Sequence, residues 1–534
     1  MQSTSKQLLS LALLVTGIIS SACGIGEAEP QAPATGHPLP VVEGTITLGR
    51  RLDNPYTVEN MTRAYKNLRG QEPSGQRSVA VNVRPTHLYV RLLPSTWEAY
   101  ETLKADTTLK LYETPLDYEI TSHGWRYHDP SIPAHLPTWQ YTAVPATYAF
   151  HPGIRHEVLA DLYIPEQDPA LAGASAAAGQ RASNDEFVNA LLNEAMRLTG
   201  NLEDVAEPTR SAARYNPSGT VRVFDTRLQR LIPLEGVKVR ARRWFNIEEV
   251  LTDANGNFFI GERFDRPVNY ALFYERADFD IRSGTFGQAW LDGPKQSGPW
   301  NVDLWDGTQR FYATILRAAV DYYYGPRLNL ASPPQKTTWR SALKIAAYDS
   351  SSDTNGQTHP WSRPLGLFSS IDLYNPNNPS DSIYGTTIHE LAHYSHWGID
   401  NNAYNFCELK VCESWARGVQ WALTNQEYAL LGAQGYDHFS GWQHLNTSDS
   451  SSVDHMRKGY TPVVIDLMDT VNQRSQNAGN PHFADDRVSG FTLLEIERTL
   501  AGTRGMNEWK EKLKTLGRVP PQDLDALFDF YRDI

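Results

Sequence analysis

The sequence predicts a multidomain α+β protein whose C-terminal part is mostly helical. The chain has 534 residues, which is enough for about three or four domains of ordinary size. Short strand-like runs crowd residues 215–300, and apolar residues recur at helical spacing through residues 386–532. Apolar residues make up 40% of the chain, so it can bury several cores and is not a wholly disordered protein.

The charge balance argues against one class of partner. The formal net charge is −12, whereas proteins that bind nucleic acid neutralise phosphates with a basic surface. We therefore predict that nucleic acid is not a partner.

Residues 1–23 have the layout of an export signal. Lys6 precedes an apolar run over residues 8–19, and small residues lead to Cys23. The run is shorter than the roughly 20 residues of a membrane-spanning helix, so we predict no transmembrane helix. The segment resembles a bacterial lipoprotein signal, which implies that Cys23 is lipidated. The alternative is an ordinary signal peptide cut after Ala22.

The segment after this signal predicts a tether. Residues 24–45 are rich in Pro, Gly and Ala, a composition that cannot bury a core. A lipid anchor on a spacer predicts an exported protein at the bacterial cell surface or outer membrane, facing the periplasm or the exterior.

Residues 46–205 predict an N-terminal α+β accessory region. A strand over residues 87–93 precedes Ser95 and Glu98, whose spacing is that of a capping box and predicts the start of a helix. An amphipathic helix is expected near residues 187–198. No chemical motif stands out here.

Residues 215–300 predict a small β-sandwich, since short strands alternate with turns such as the one at residues 253–257. The pattern resembles a transthyretin-like or carboxypeptidase-regulatory-like module, which implies an accessory module without its own activity. The residues that carry this resemblance are Pro233, Leu234, Gly236, Val237, Val239, Thr252, Asp253, Gly256 and Phe258.

Residues 301–534 contain an H-E-x-x-H motif formed by His389, Glu390 and His393. On a helix, positions i and i+4 share one face, so both imidazoles can reach one Zn²⁺ ion. Glu390 follows His389 directly, so it is angled away from the metal and is free to act as a general base. We therefore predict one catalytic zinc ion in this domain.

A catalytic zinc ion needs a third protein ligand and one open position. The longer metzincin pattern, H-E-x-x-H-x-x-G-x-x-H, does not match, because His396 stands in place of its Gly and Ile399 in place of its last His. We interpret His396 as a flanking polar residue. Glu413, on the next predicted helix, gives a resemblance to gluzincin peptidases, in which a second helix brings a Glu to the metal. The alternative for Glu413 is a solvated acid near a helix N-terminus.

One position departs from the thermolysin-like pattern within that resemblance. Arg417 stands where those enzymes place an Asp that orients a His. The missing acid must then come from elsewhere, and Asp466 or Asp469 could supply it. The alternative is that both are exposed acids on an amphipathic helix.

The developing oxyanion also needs a hydrogen-bond donor. Gluzincins use a downstream His or Tyr, and the candidates are Tyr460 and His455, with His444 and His438 behind them. For each, the alternative is simple packing or surface polarity. By analogy with zinc peptidases, the strand over residues 366–374 is expected to be an edge strand that binds peptide.

The two remaining cysteines, Cys407 and Cys412, lie just before Glu413. In an exported domain they predict a disulfide that fixes the start of the helix carrying Glu413. The alternative is two free thiols.

Together these features predict a zinc-dependent peptidase that acts through Glu390-assisted attack of zinc-bound water on a protein or peptide. No G-x-M-E-N element of aminopeptidases is found, which favours an endopeptidase. The alternatives are a zinc aminopeptidase and a surface adhesion lipoprotein with an inactive peptidase-like domain. The membrane is a partner through the N-terminal lipid anchor alone.

Overall fold

The computed structural model describes residues 44–70, 81–168, 171, 178–202, 214–337, 340–359, 370–433 and 443–534. Residues 1–43, with the predicted signal, Cys23 and most of the tether, lie outside this part. The chain from Glu43 onward forms one unit. It mixes helices with several sheets and ends in a helical region, so the multidomain α+β prediction is confirmed.

The N-terminal region is built on a three-stranded antiparallel sheet, in which β2 lies between β4 and β5. The predicted capping box is replaced by a single cap: Thr96 accepts from the backbone N–H of Ala99 at 3.2 Å and starts helix α2. The elements are β1 (Thr47–Arg51), α1 (Val58–Gly70), β2 (His87–Leu93), α2 (Trp97–Ala105), β3 (Tyr118–Ser122), β4 (Gln140–Pro145), β5 (Arg155–Leu162), a 3-10 turn (Pro165–Gln167) and α3 (Ala178–Leu198).

The predicted sandwich consists of two four-stranded sheets. The turn predicted at residues 253–257 is present, because the Asp253 side chain accepts hydrogen bonds from the backbone N–H groups of Asn255 and Asn257 at 2.8 and 2.9 Å. The strands are β6 (Ser218–Asp225), β7 (Arg230–Pro233), β8 (Lys238–Arg243), β9 (Asn246–Leu251), β10 (Asn257–Phe259), β11 (Val268–Phe273), β13 (Trp290–Gln296) and β14 (Trp300–Leu304).

A third four-stranded sheet supports the candidate site. Its order is β12 (Phe279–Arg282), β15 (Leu343–Ala347), β17 (Ile371–Leu373) and β16 (Gly356–Thr358). The first three strands are parallel, and β16 runs antiparallel at the edge. Every residue of β15 is buried, as expected for a parallel strand covered on both faces.

Two features of this sheet differ from expectation. Strand β12 comes from the segment predicted as sandwich, so strand pairing crosses the boundary drawn at residue 300. The described part of the predicted edge strand, β17, is an inner strand, and β16 forms the edge instead.

The helices of the C-terminal region pack closely around this sheet. At Gly418 a side chain would lie 2.1 Å from Val464, so only glycine allows α7 and α9 to approach this far. The helices are α4 (Gly307–Tyr324), α5 (Ser380–Ile399), α6 (Asn401–Tyr404), α7 (Leu409–Leu430), α8 (Ser450–Arg457), α9 (Val463–Met468), α10 (Gln473–Gln476), α11 (Leu493–Arg498), α12 (Met506–Lys514) and α13 (Pro521–Arg532). Among the described helices, none combines the length and apolarity needed to cross a membrane.

Buried ion pairs join the N-terminal region to the third sheet. Lys104 on α2 contacts Asp280 on β12 at 2.8 Å, and Glu101 contacts Lys344 on β15 at 2.7 Å. These charges are mostly shielded from water, so removing one partner would leave the other unpaired at a high cost. The N-terminal region is therefore an integral part of the folded chain.

Candidate metal centre

Helix α5 presents His389 and His393 on one face, and the neighbouring helix α7 brings Glu413 against them. The two Nε2 atoms lie 3.1 Å apart. Glu413 Oε2 lies 3.1 Å from Nε2 of His389 and 3.3 Å from Nε2 of His393. Within the described ranges, this is the group of His, Cys, Asp and Glu side chains arranged to hold a metal ion.

The triangle formed by these three atoms fits a zinc ion. Tetrahedral ligands at zinc distances of about 2.0–2.1 Å are separated from each other by roughly 3.3 Å. The three observed separations of 3.1–3.3 Å match that edge length. A single proton cannot bridge all three atoms, whereas a cation at the centre can.

Hydrogen bonds orient both imidazoles for this role. Nδ1 of His389 lies 3.2 Å from Oε1 of Gln420, and Nδ1 of His393 lies 3.3 Å from the hydroxyl of Tyr404. If each Nδ1–H donates to its oxygen, each Nε2 presents a lone pair to the centre.

The expected acids do not fill this orienting role. Asp466 accepts a hydrogen bond from Tyr531 at 2.7 Å and another from Gln473. Asp469 bonds Gln443. The hydrogen-bond partners of Nδ1 in His389 and His393 are Gln420 and Tyr404 instead.

Electrostatics within the cluster favour an ionised carboxylate. Burial alone would raise the pKa of Glu413, but the positive charge and hydrogen bonds of His393 and His389 outweigh it and hold this pKa well below its usual value. Burial alone would lower the pKa of His393, and Glu413 raises it instead. The Glu413 carboxylate is thus ionised across the ordinary pH range.

Glu390 lies beside the triangle and is held by the edge strand. The hydroxyl of Thr358 lies 2.6 Å from Oε2 of Glu390 and 3.0 Å from its backbone carbonyl. At Gly356 a side-chain carbon would lie 2.7 Å from Oε1 of Glu390. The strand therefore needs glycine to pass this close: Thr358 holds one carboxylate oxygen of Glu390, and Gly356 lies against the other.

Sequence reasoning missed Thr358, Gln420 and Tyr404. Strand β16 has three residues and no apolar alternation, so periodicity carried no signal for Thr358. Gln420 does lie two turns after Glu413 on helix α7, and that spacing could have identified it.

Of the two oxyanion candidates, Tyr460 lies nearer the cluster. Its ring centre is 6.1 Å from that of His389. Burial, followed by the charges of Glu413 and Glu390, raises the pKa of Tyr460, so its hydroxyl stays protonated and can donate. Arg417 Nη1 donates to the backbone carbonyl of Tyr460 at 2.8 Å. The residue that breaks the thermolysin-like pattern therefore anchors Tyr460.

The histidine candidates lie elsewhere. The exposed His455 bonds the carbonyl of Ser451 at 3.2 Å, and its ring centre is 6.3 Å from that of Tyr460. His444 has no contact with the cluster among the described residues, and His438 lies outside them.

His396 is not one of the clustered ligands, but it is not a surface residue either. It is 1% exposed, and its ring packs edge-on against Tyr404 with centres 5.0 Å apart. Burial lowers the pKa of His396 to about 3, which keeps the ring neutral. It supports Tyr404, which in turn contacts His393.

The predicted Cys407–Cys412 disulfide is absent, because both residues are free thiols. A hydrogen bond with Cys407, followed by burial, raises the pKa of the Cys412 thiol. The start of α7 is fixed by backbone bonds instead: Cys407 N–H donates to Tyr404 at 3.1 Å, and Glu408 N–H donates to Arg504. The helix that carries Glu413 therefore needs no covalent bridge here.

Comparisons with known proteins add little. No family model matches the chain, and no curated protein matches it. A 5-hydroxyisourate hydrolase from Klebsiella pneumoniae is 19% identical with a TM-score of 0.13, covering 17% of this chain and 88% of that one. An (S)-allantoin synthase is 14% identical with a TM-score of 0.14, covering 24% and 50%. Scores this low carry no argument about function, and the likeness to a transthyretin-like hydrolase is weak.

Proposed function

We propose that the protein is a zinc-dependent endopeptidase of the gluzincin type. The triangle of His389 Nε2, His393 Nε2 and Glu413 Oε2, with Glu390 beside it, is the observation that carries the proposal. These three residues would hold the ion. Zinc at this position supplies Lewis-acid chemistry, lowering the pKa of water and polarising a carbonyl group.

Glu390 is the proton carrier in this proposal. Its carboxylate accepts a proton from the attacking water and returns that proton to the nitrogen of the leaving amine. Thr358 holds Oε2, which leaves Oε1 as the oxygen that exchanges the proton in this proposal. The charge that develops on the attacked carbonyl oxygen is stabilised by the hydroxyl of Tyr460.

Strand β16 offers a place for the peptide. It lies at the edge of its sheet and next to Glu390. An extended substrate backbone can pair with such an edge by strand addition. This position supports a polypeptide as the substrate and an internal bond as the site of cleavage. The sequence further supports export and lipidation at Cys23, which we propose as the only membrane attachment.

A doubly blocked peptide tests the endopeptidase proposal. The zinc-loaded mature protein is incubated with an unstructured peptide that is acetylated at its N-terminus and amidated at its C-terminus, and the products are identified by mass spectrometry. We expect internal cleavage that stops when zinc is chelated. Stepwise loss of N-terminal residues from an unblocked version alone would indicate an aminopeptidase. No cleavage of either peptide would favour an adhesion protein with an inactive domain.

Replacing Thr358 tests how Glu390 is held. Thr358→Val keeps the shape of the side chain and removes its hydroxyl, so we expect kcat to fall about tenfold with little change in KM. Thr358→Ser restores the hydroxyl and should recover most of the rate. Equal rates for the valine variant and the wild type would show that the 2.6 Å contact does not position Glu390.

Replacing Tyr460 distinguishes the two oxyanion candidates. Tyr460→Phe removes one hydrogen-bond donor, and we expect kcat to fall about 10²–10³-fold with retained zinc. His455→Gln is the matched control and should stay within about threefold of the wild-type rate. The reverse pattern would assign the role to His455.

A further inference from the structure

A cavity of about 160 Å³ lies between the N-terminal region and the sandwich. One wall comes from strand β3 and from residues that follow helix α3. The facing wall comes from the β8–β9 turn and from residues near β11. It shares no residue with the candidate metal centre.

The cavity is strongly basic although the protein as a whole is acidic. Four cationic side chains line it, namely Arg242, Arg243, Arg266 and Lys295, against one carboxylate, that of Glu119. The carboxylate is already engaged, because Arg50 donates to it at 2.7 Å. His123 also lines the cavity and pairs with Asp292 at 2.5 Å.

Two of these guanidinium groups form no direct ion pair with a carboxylate within the described residues, although the buried carboxylate of Asp292 interacts electrostatically with Arg242. Arg242 is 7% exposed and donates to the backbone carbonyls of Leu116 and Trp244 at 3.4 and 3.1 Å. Arg266 donates to the side-chain oxygen of Asn193 at 3.1 Å, while its Nε is buried and has no hydrogen-bond partner in the described part of the chain. Arg243, by contrast, pairs with Asp265 at 2.5 Å. Buried cations are costly unless an anion balances them.

The remaining wall is apolar and contains a strained residue. Ile120, Met196 and Trp244 contribute to it. Trp244 has a φ of 53°, in the left-handed region that bulky side chains avoid. The two-residue turn between β8 and β9, closed by the Arg243–Asn246 pair, holds Trp244 in this conformation and presents its ring to the cavity. The site therefore joins an excess of cationic side chains to an apolar surface.

We propose that this cavity binds a small organic anion, with a carboxylate against Arg266 and Arg242 and an apolar body against Trp244. The apolar wall favours such a ligand over an inorganic ion, which would leave that surface uncovered. The guanidinium groups match a carboxylate because their N–H groups can donate to both of its oxygens.

Calorimetric titration with hexanoate tests the proposal. Hexanamide, which has the same chain length but no charge, is the control ligand. We expect saturable binding of one hexanoate per chain to the mature protein and no measurable binding of hexanamide. Arg266→Gln should weaken hexanoate binding at least about tenfold. Arg222→Gln, on strand β6, should not change it. Glu413→Ala should also retain binding, which separates this cavity from the metal centre.

Several results would overturn the proposal. They are equal binding of hexanoate and hexanamide, no effect of Arg266→Gln, absence of binding to the wild type, and inorganic phosphate binding as tightly as hexanoate. Glu203 and Asp204 follow Leu202 directly in the sequence. If the E203Q/D204N variant bound hexanoate and the wild type did not, the chain's own acids would fill the site and the ligand proposal would fail.

Discussion

Glu390→Gln should lower kcat for peptide cleavage by about a thousandfold while the protein keeps its zinc. General acid–base catalysis contributes typically about 10²–10⁴-fold, and glutamine has nearly the same shape but cannot accept the proton. Glu390 is not a member of the His389, His393 and Glu413 triangle, so metal binding should not depend on its charge. Thr358 can still donate to the amide oxygen that replaces Oε2, so the local structure should hold.

The control for this change is Glu511→Gln, an exposed residue on α12 that pairs with Lys514 at 2.8 Å. It should cleave the blocked peptide at the wild-type rate. Rates and bound zinc are measured on the same preparations of all three proteins. Undiminished cleavage by Glu390→Gln would remove Glu390 from the mechanism, whereas loss of zinc would make it a ligand instead of a base.

Glu413→Ala has the second-largest expected effect, and it acts through metal affinity. The change removes one of three ligands and the only negative charge among them. We expect the affinity for zinc to fall at least about a hundredfold. Replacing residues that only hydrogen-bond to the ligands already lowers metal affinity by about 10–100-fold. Activity should disappear at low zinc concentrations. The measurement is a competition titration against a chromophoric zinc chelator.

Gln420→Ala gives a graded comparison for that result. Gln420 touches His389 and not the ion's position, so its loss should weaken zinc binding by about 10–100-fold, less than the loss of Glu413. Wild-type affinity in Glu413→Ala would show that Glu413 is an ordinary acid near a helix N-terminus. A larger effect for Gln420→Ala than for Glu413→Ala would reverse their assigned roles.

The sequence predicts the centre of the site better than its surroundings. The positions of His389 and His393 follow from helical spacing alone, since residues four apart must share a face. Placing Glu413 beside them needed a family resemblance, because the contact joins two helices. Gln420 and Thr358 reach the site through packing between separate elements, which no local pattern records.

The pairing of strands between sheets was likewise not predictable from local sequence patterns. Strand β12 has the short, turn-bounded character of its neighbours in sequence, yet it pairs in parallel with β15 in another sheet. Strand β14 returns to the sandwich beside β6. Local patterns identify strands but do not specify non-consecutive pairing, so a boundary drawn at residue 300 separates strands that the fold interleaves.

The most direct test of the central claim is a zinc titration of the metal-free mature protein, with bound zinc and cleavage of the blocked peptide followed together. One site formed by His389, His393 and Glu413 predicts that activity rises in proportion to bound zinc and stops at one equivalent per chain. Full activity in the metal-free protein, or bound zinc that never produces cleavage, would contradict the account.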